Sequence, residues 1–331
     1  MRSARFDLAL ESGLSLPSAG DVLVFGAAAG DDLPALVRER VTVVQANRPD
    51  HDALAARGWR VVPRLVPGTR AAAALVCLPR ARDAARDRIA QAAAAVLPGG
   101  PVIVDGQKTD GVDAALRELR GRVDLSEAVS KAHGKIAWFP AGPDLGDWIA
   151  APQVVAGGFV TRAGVFSADG PDGGSALLAA ALPARMPGRG VDLGAGWGYL
   201  ARAALAREGV AHLDLVEADA EALDCARVNV TDPRAAFHWA DATVWRPARI
   251  ADWVICNPPF HAGRAADPAL GMAFITAAAR MLAPHGVLWL VANRPLPYDR
   301  ILPQMFREIE DLGGDARFRL TRAARPLRSK S

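Results

Sequence analysis

No apolar run in this chain approaches the roughly 20 residues that a membrane-crossing helix requires. Its first residues, MRSARFDLALESG, have no apolar centre and carry acids early, unlike a secretory leader. Both absences point to a cytoplasmic protein with no membrane partner. Cysteine is scarce, with Cys77, Cys225 and Cys256 alone. None has a CxxC partner or a nearby ligand histidine, so neither a disulfide framework nor a metal site is indicated. Cys77 and Cys256 lie in apolar strand-like runs and Cys225 in a helical pattern, where a free thiol is simply core. Net charge is nearly absent too: +3 over 331 residues. Its distribution says more, because ARFRLTRAARPLRSKS at the end holds Arg317, Arg319, Arg322, Arg325, Arg328 and Lys330 with no acid. Such a run is either a footprint for phosphates or a solvated, frayed tail.

What the chain does have is apolar residues, 51% of the total, enough for two cores of roughly 150 residues each. In the first half, DVLVFG (21–26), VTVVQA (41–46), AAALVCLP (72–79) and VIVDG (102–106) have strand character. Helical patterns stand between and after them: DDLPALVRER, ARDAARDRIAQAAAAVL and DAALRELR (113–120). That alternation predicts a parallel sheet with helices on both faces. The Pro- and Gly-rich FPAGPDLGDWIAAPQ (139–153) then reads as a linker, and VVAGGFVTR (154–162) as a hairpin turning on Gly157 and Gly158. The second half repeats the plan. VDLGAG (191–196), HLDLVEAD (212–219), FHWAD (237–241), ADWVICNPPF (251–260) and GVLWLVAN (286–293) are strands with helices between them. A helix near ILPQMFREIEDL and a strand near ARFRLTR complete the chain.

The halves match in order and spacing. GDVLVFGAAAGDDLPALVRERVTVVQANRPDHDAL corresponds to GVDLGAGWGYLARAALAREGVAHLDLVEADAEAL, AALVCLP to DWVICNPPF, and LPGGPVIVDGQ to APHGVLWLVAN. The expectation is therefore two tandem Rossmann-like, doubly wound α/β domains, residues 1–150 and 151–331, related by duplication. The first copy has Gln45 where the second has Glu217, lacks two of three motif glycines, and has Leu78-Pro79 in place of Asn-Pro-Pro-Phe. Chemistry is expected only in the second.

There, Gly194, Gly196 and Gly198 close a strand and open a helix. Glycines let backbone amides approach a ligand, and a helix N-terminus suits an anionic group such as a carboxylate. The pattern also serves dinucleotides, or a purely structural turn. Glu217, at the end of the next strand, can accept both ribose hydroxyls of an adenosyl group, in a nicotinamide cofactor or S-adenosylmethionine alike; the lesser alternative is a surface acid at a strand end. Asp241 ends the third strand as an adenine-amino acceptor or as a turn residue. Asn257-Pro258-Pro259-Phe260 follows a continuous apolar strand, at the edge where such sheets bind ligands. A ring-conjugated amino group is a poor nucleophile because its lone pair is delocalised. The Asn257 side-chain oxygen and the Pro258 carbonyl can each accept one of its N–H bonds, drawing the lone pair out of the ring plane. Phe260 can stack on the ring face, a contact worth ~1–3 kcal/mol.

GAGWG paired with NPPF resembles class I methyltransferases acting on amino or amide nitrogens. With GVFSADGPDGGSALLAAALP (164–183), NPPFHAG (257–263) and VANRPLPY (291–298) added, the chain is similar to the ribosomal RNA guanine-N2 methyltransferases, most nearly the small-subunit branch. That resemblance implies S-adenosylmethionine as cofactor, held by Asp192, Gly194, Gly196, Gly198 and Glu217 with Asp241. It implies a guanine amino group held by Asn257, Pro258 and Phe260, and a pre-motif loop of Phe166, Asp169 and Asp172 that with His261 lines the substrate mouth. It also implies a degenerate first domain with a structural and RNA-binding role, where Arg80, Arg82, Arg86 and Arg88 offer basic surface. The expected partner is ribosomal RNA or a ribosomal subunit, and the expected state a monomer without metal. Ala262 departs from the acid that often follows NPPFH. Against this stand the large-subunit branch and a glutamine-amide protein methyltransferase, whose usual N-terminal partner is a helical bundle. A non-catalytic RNA-binding assembly factor is opposed by the intact second motif set, and a nicotinamide oxidoreductase by Asp192 and the NPPF loop.

Overall fold

Apolar runs bounded by turn residues become the strands of two parallel-dominated sheets. The structure, a computed structural model, describes residues 2–327 apart from 34–35, 260, 263–264 and 267, with backbone alone at 261–262 and 265–266. The chain divides into two units, Met1–Pro152 and Gln153–Ser331.

The first unit opens with α1 (Arg2–Glu11). Its strands are β1 (Val22–Phe25), β2 (Val41–Val44), β3 (Arg60–Val62), β4 (Ala73–Cys77), β5 (Pro101–Gln107), β6 (Val129–Lys131) and β7 (Gly134–Pro140). The helices α2 (Arg48–Ala56), α3 (Arg82–Ala95) and α4 (Val112–Arg120) connect them. The sheet order is β3-β2-β1-β4-β5-β7-β6, and only β7 runs against its neighbours. β1 and β4 are buried along their whole length, as parallel strands covered on both faces must be.

The second unit begins with the hairpin β8 (Gln153–Val155) and β9 (Phe159–Thr161), where Gly157 and Gly158 adopt φ of +81° and +72°. It continues through α5 (Gly173–Ala181), β10 (Arg185–Leu193), α6 (Tyr199–Leu205), β11 (Glu208–Glu217), α7 (Ala220–Asn229), β12 (Ala235–Trp239) and β13 (Ala251–Cys256). The short pair β14 (His261–Ala262) and β15 (Ala265–Ala266), α8 (Pro268–Met281), β16 (Leu282–Asn293), α9 (Leu302–Met305), β17 (Phe306–Gly314) and β18 (Phe318–Pro326) follow. Its main sheet runs β12-β11-β10-β13-β16-β18-β17, strand for strand the order of the first. One face packs Leu178, Leu200, Ala201 and Leu215 from α5, α6 and β11; the other packs Val254, Ile275, Ala278 and Leu288 from β13, α8 and β16. Chain order reverses between β10 and β13, which opens the ligand crevice of doubly wound sheets there.

Three expectations are corrected. The segment ILPQMFREIEDL is helical only over α9; its remainder is the edge strand β17, paired antiparallel with β18. Cross-strand ion pairs override helical propensity: Arg325–Glu308 at 3.1 Å, Arg322–Glu310 at 3.5 Å and Arg319–Asp311 at 3.1 Å. The basic segment is thus no frayed tail over 318–326, and half its charge meets carboxylates; Arg328 and Lys330 lie outside the described residues. Second, the first part of the Pro/Gly-rich stretch belongs to the first unit. Phe139 and Pro140 end β7, while Ala141, Leu145 and Trp148 pack into its core. Third, DDLPALVRER yields a single 3-10 turn at Arg38–Arg40, with 34–35 outside the described residues.

Candidate active site

Pairing register brings the two motifs together. Leu193 pairs with Cys256 across β10 and β13, so Gly194 and Asn257 leave adjacent strands side by side. The Gly194 and Ala195 amides donate to the Val216 carbonyl at 2.9 and 3.0 Å, and the Gly198 amide to the Ala195 carbonyl at 2.9 Å. Gly194, Gly196 and Gly198 have φ of +82°, +54° and +89°, the left-handed region that glycine alone enters freely. A Cβ at Gly194 would lie 3.1 Å from Phe274 and one at Gly198 2.9 Å from Val230, whereas one at Gly196 meets nothing within 4 Å. Gly196 is the glycine that borders open space.

Glu217 ends β11 behind this turn. Its Oε2 accepts from the Gly196 amide at 2.7 Å and its Oε1 from the Asp219 amide at 2.8 Å. Burial pushes its carboxyl up to about 7. Asp192, on β10, is fully buried, and neither carboxylate oxygen has a hydrogen-bond partner among the described residues. Burial first, then the charge of Glu217, push it up to about 8. Asp192 therefore backs the turn rather than facing the cleft. Asp241 serves its own turn: its Oδ1 accepts from the Thr243 amide at 2.8 Å and the Thr243 hydroxyl at 2.7 Å.

The loop ahead of α5 is tied down from two sides. The Thr161 hydroxyl and Gln153 Nε2 donate to the Ala168 carbonyl at 2.6 and 2.8 Å, and Trp197 Nε1 donates to the Phe166 carbonyl at 2.9 Å. Trp197 packs against Phe159 and Tyr199, with ring centroids 5.0 and 5.7 Å apart. Asn229, at the end of α7, donates to the carbonyls of both Val160 and Trp197 at 2.8 Å. With its backbone held, the Phe166 ring stays 56% exposed.

Asn257 leaves β13 with its Nδ2 donating to Asp172 Oδ2 at 3.0 Å and to Ser175 Oγ at 2.9 Å. The same Asp172 oxygen accepts the Ser175 amide at 2.9 Å, which caps α5. One cleft is lined by Phe166, Asp172, Ser175, Gly194, Gly196 and Asn257 together with Ser167, Ala195, Trp197, Tyr199 and Leu200. Of the sequence-derived residues, Gly198 and Glu217 support that lining from behind, and Pro258 is buried beside Asn257. Asp169 and Asp241 are not part of the lining. Phe260 lies outside the described residues, as does the side chain of His261, whose backbone forms β14. A larger hollow, in the first unit between α3 and residues 142–149, holds Arg70 and Asp144 among apolar side chains. Its glycines, Gly142 and Gly146, do not open an α-helix as Gly194–Gly198 do, and among the described residues no asparagine lines it, so volume alone does not make it the site.

A family model, the methyltransferase small domain, matches residues 156–322. Curated relatives include ribosomal RNA small subunit methyltransferase C of Pseudomonas aeruginosa, 31% identical over 76% of this chain and 79% of its own. The protein of the same name from Salmonella choleraesuis is 30% identical over 70% of this chain and 69% of its own. This chain belongs to that family of methyltransferases. Ribosomal RNA large subunit methyltransferase G of Shewanella amazonensis is 30% identical over 76% and 68%. The fold is shared with the T. thermophilus 16S rRNA N2 methyltransferase solved with AdoMet and guanosine, at TM-score 0.78, 23% identity, and coverage of 98% of this chain and 92% of that one.

The first copy of the methyltransferase fold is closed by its own side chains. Gln45 Nε2 donates to the Ala27 carbonyl at 2.6 Å, reversing the direction of the Glu217–Gly196 bond. The Arg88 guanidinium fills the space beside Gly26, which pairs with the Val44 carbonyl as Gly194 does with Val216. Register places Cys77 where the second copy has Asn257, and burial pushes its thiol up to about 12. Arg82 and Arg86 pair with Glu118 at 2.6 and 2.8 Å, and Arg88 donates to the Cys77 carbonyl at 3.4 Å, so this arginine group is largely engaged. Among the described residues no cluster of three or more His, Cys, Asp or Glu could hold a metal ion, and no helix is long and apolar enough to cross a membrane. Ser175 and Asn229 were missed from the sequence. The spacing Asp172-x-x-Ser175, a helix cap and its third residue, is the signal that could have found Ser175.

Proposed function

We propose that this methyltransferase transfers the methyl group of S-adenosylmethionine to the exocyclic N2 of a guanine in small-subunit ribosomal RNA. The observation that carries the reading is Asn257. Both its N–H bonds are spent on Asp172 and Ser175, and its Oδ1 takes no hydrogen bond from any described residue. An amide oxygen so held accepts from an amino group.

The cofactor fits the residues present: Gly196 borders open space, and Glu217 is an acidic strand end directly behind it. Gly194, Gly196 and Gly198 would cradle the methionine part, Glu217 would take the ribose hydroxyls with Asp192 behind it, and Asp241 would accept the adenine amino group. When bound, S-adenosylmethionine supplies an electrophilic methyl on a sulfonium. Asn257 Oδ1 and the Pro258 carbonyl would accept the two guanine N–H bonds beside Phe166; by the family resemblance Phe260 would supply the stacking ring, with Asp169 and His261 assigned to the substrate mouth. Holding the nitrogen this way localises its lone pair and aims it; the proton released after transfer passes to solvent, so no dedicated base is needed. Orientation of this kind is worth roughly 7–11 kcal/mol in intramolecular reactions. The first unit acts as a degenerate copy with a structural and RNA-binding role. Its α/β architecture, rather than a helical bundle, favours an RNA over a glutamine-amide substrate.

Asn257→Ala should lower turnover on the order of 100-fold, the scale for losing one fixed electrostatic contact to the reacting group, while cofactor affinity stays near normal. A collapse of cofactor affinity would overturn the assignment. Mass spectrometry of rRNA nucleosides from a deletion strain should show N2-methylguanosine missing from the small subunit. Its loss from the large subunit instead moves the target there, and no change in either defeats the RNA reading.

A further inference from the structure

We infer that Asp172 and Ser175 are positioning residues that fix which way round the Asn257 amide sits, and hence that the site accepts an N–H donor on its target. This rests on the function proposed above. The two ends of a primary amide are nearly the same size, so packing alone cannot choose between them. Hydrogen bonding can. An ionised carboxylate only accepts, so Asp172 Oδ2 at 3.0 Å must face the Asn257 NH2. A serine hydroxyl both donates and accepts, and Ser175 Oγ at 2.9 Å adds a second contact without deciding the orientation by itself. Flipped by 180°, the amide would present NH2 to the target amino group, donor against donor, and its oxygen to a carboxylate.

The clamp is rigid for local reasons. Asp172 Oδ2 is held by capping α5 through the Ser175 amide at 2.9 Å, and Ser175 is 8% exposed. The start of α5 lies hard against β18: a Cβ at Gly174 would stand 2.9 Å from the Phe318 ring. The carboxylate behind the amide also polarises it, placing more negative charge on the Oδ1 that meets the substrate.

Asp172→Asn tests this cleanly, because asparagine caps helices about as well as aspartate but offers an NH2 of its own that lets Asn257 flip. Turnover on rRNA should fall at least about tenfold, the scale of one charge-assisted hydrogen bond, with S-adenosylmethionine affinity and melting temperature near wild type. Ser175→Ala, which leaves the carboxylate in place, should lose less. In an Asn257→Ala background, Asp172→Asn should cause no further loss of turnover, since there is no amide left to orient. Full multiplicative loss in that background, or a wild-type rate for Asp172→Asn alone, overturns the inference. If Asn257→Ala itself turns over normally, it is the functional reading that has failed.

Discussion

Raising the pH from 6 to 8 should tighten S-adenosylmethionine binding about tenfold, and the reason lies in one carboxyl group. Glu217, half-buried behind the glycine turn, is pushed up to about 7 from an ordinary 4.5 by loss of solvent around its carboxyl. As an acid with a raised value in the folded state, it makes the empty protein less stable as pH rises from about 4.5 to about 7. Ribose hydroxyls donate best to the anion, so binding below pH 7 must also expel that proton. Roughly one molecule in eleven is ionised at pH 6 and ten in eleven at pH 8, a ratio of about ten, or ~1.4 kcal/mol. Asp192, pushed up to about 8 by burial and then by the charge of Glu217, ionises over an overlapping range, so the observed steps belong to the pair and Glu217→Gln isolates the share of Glu217. Calorimetric titration at both pH values, in buffers of different ionisation enthalpy, reads the affinity and the proton released. The ligand's own α-amino group titrates near 8, and Glu217→Gln subtracts it. The variant should bind weakly with that residual dependence alone. Affinity that is flat or falls with pH in the native protein, or a full slope surviving in the variant, would refute the role of Glu217.

The glycines should separate by the space around them. Gly198→Ala combines φ +89° with a methyl 2.9 Å from Val230, and should lose about 2 kcal/mol or more in denaturant melts. Gly196→Ala carries only the backbone cost of about 1 kcal/mol, yet its methyl enters the cleft, so cofactor titration should show the larger loss of affinity; the opposite order would dismiss the cradle. In the first unit, Asp105 is fully buried and bonded to Arg5 at 2.5 and 2.9 Å, and to Arg2. Asp105→Ala strands a buried guanidinium and should destabilise that unit by roughly 3–5 kcal/mol, with cofactor binding unchanged and rRNA methylation reduced. Normal rRNA methylation with that unit unfolded would remove its RNA-binding role.

The duplication was legible before any coordinates because parallel strands buried on both faces write themselves as unbroken apolar runs. VLVF, AALVC and DWVIC needed only their spacing to be matched. Strands at the far edge of each sheet were not legible. β17 shows the pattern FREIED, rich in helix formers, and becomes a strand only because β18 supplies arginines opposite its acids, a fact that lies in pairing and not in either segment. β6 and β7 were hidden likewise, since their turn at Ala132 and His133 uses φ of +51° and +60° without a glycine or asparagine to announce it.

At the candidate site, the same distinction between local and paired information decides what could be read. The glycine turn and the Asn-Pro-Pro run are local, and both could be named from sequence. Which residue of the first copy stands where Asn257 does is a question of register: alignment by similarity matches Cys77 to Cys256, while strand pairing sets Cys77 at the place of Asn257. That one-residue difference has chemical content. At this position a buried thiol, its value raised to about 12, has no amide oxygen to offer an amino group. Asn257 in turn is held by a helix cap 85 residues earlier, a contact that no local pattern announces. Losing the first site therefore needed no large rearrangement: an amide acceptor absent at one strand end, a neutral Gln45 in place of an acid, and an arginine grown into the space by Gly26 suffice to close it.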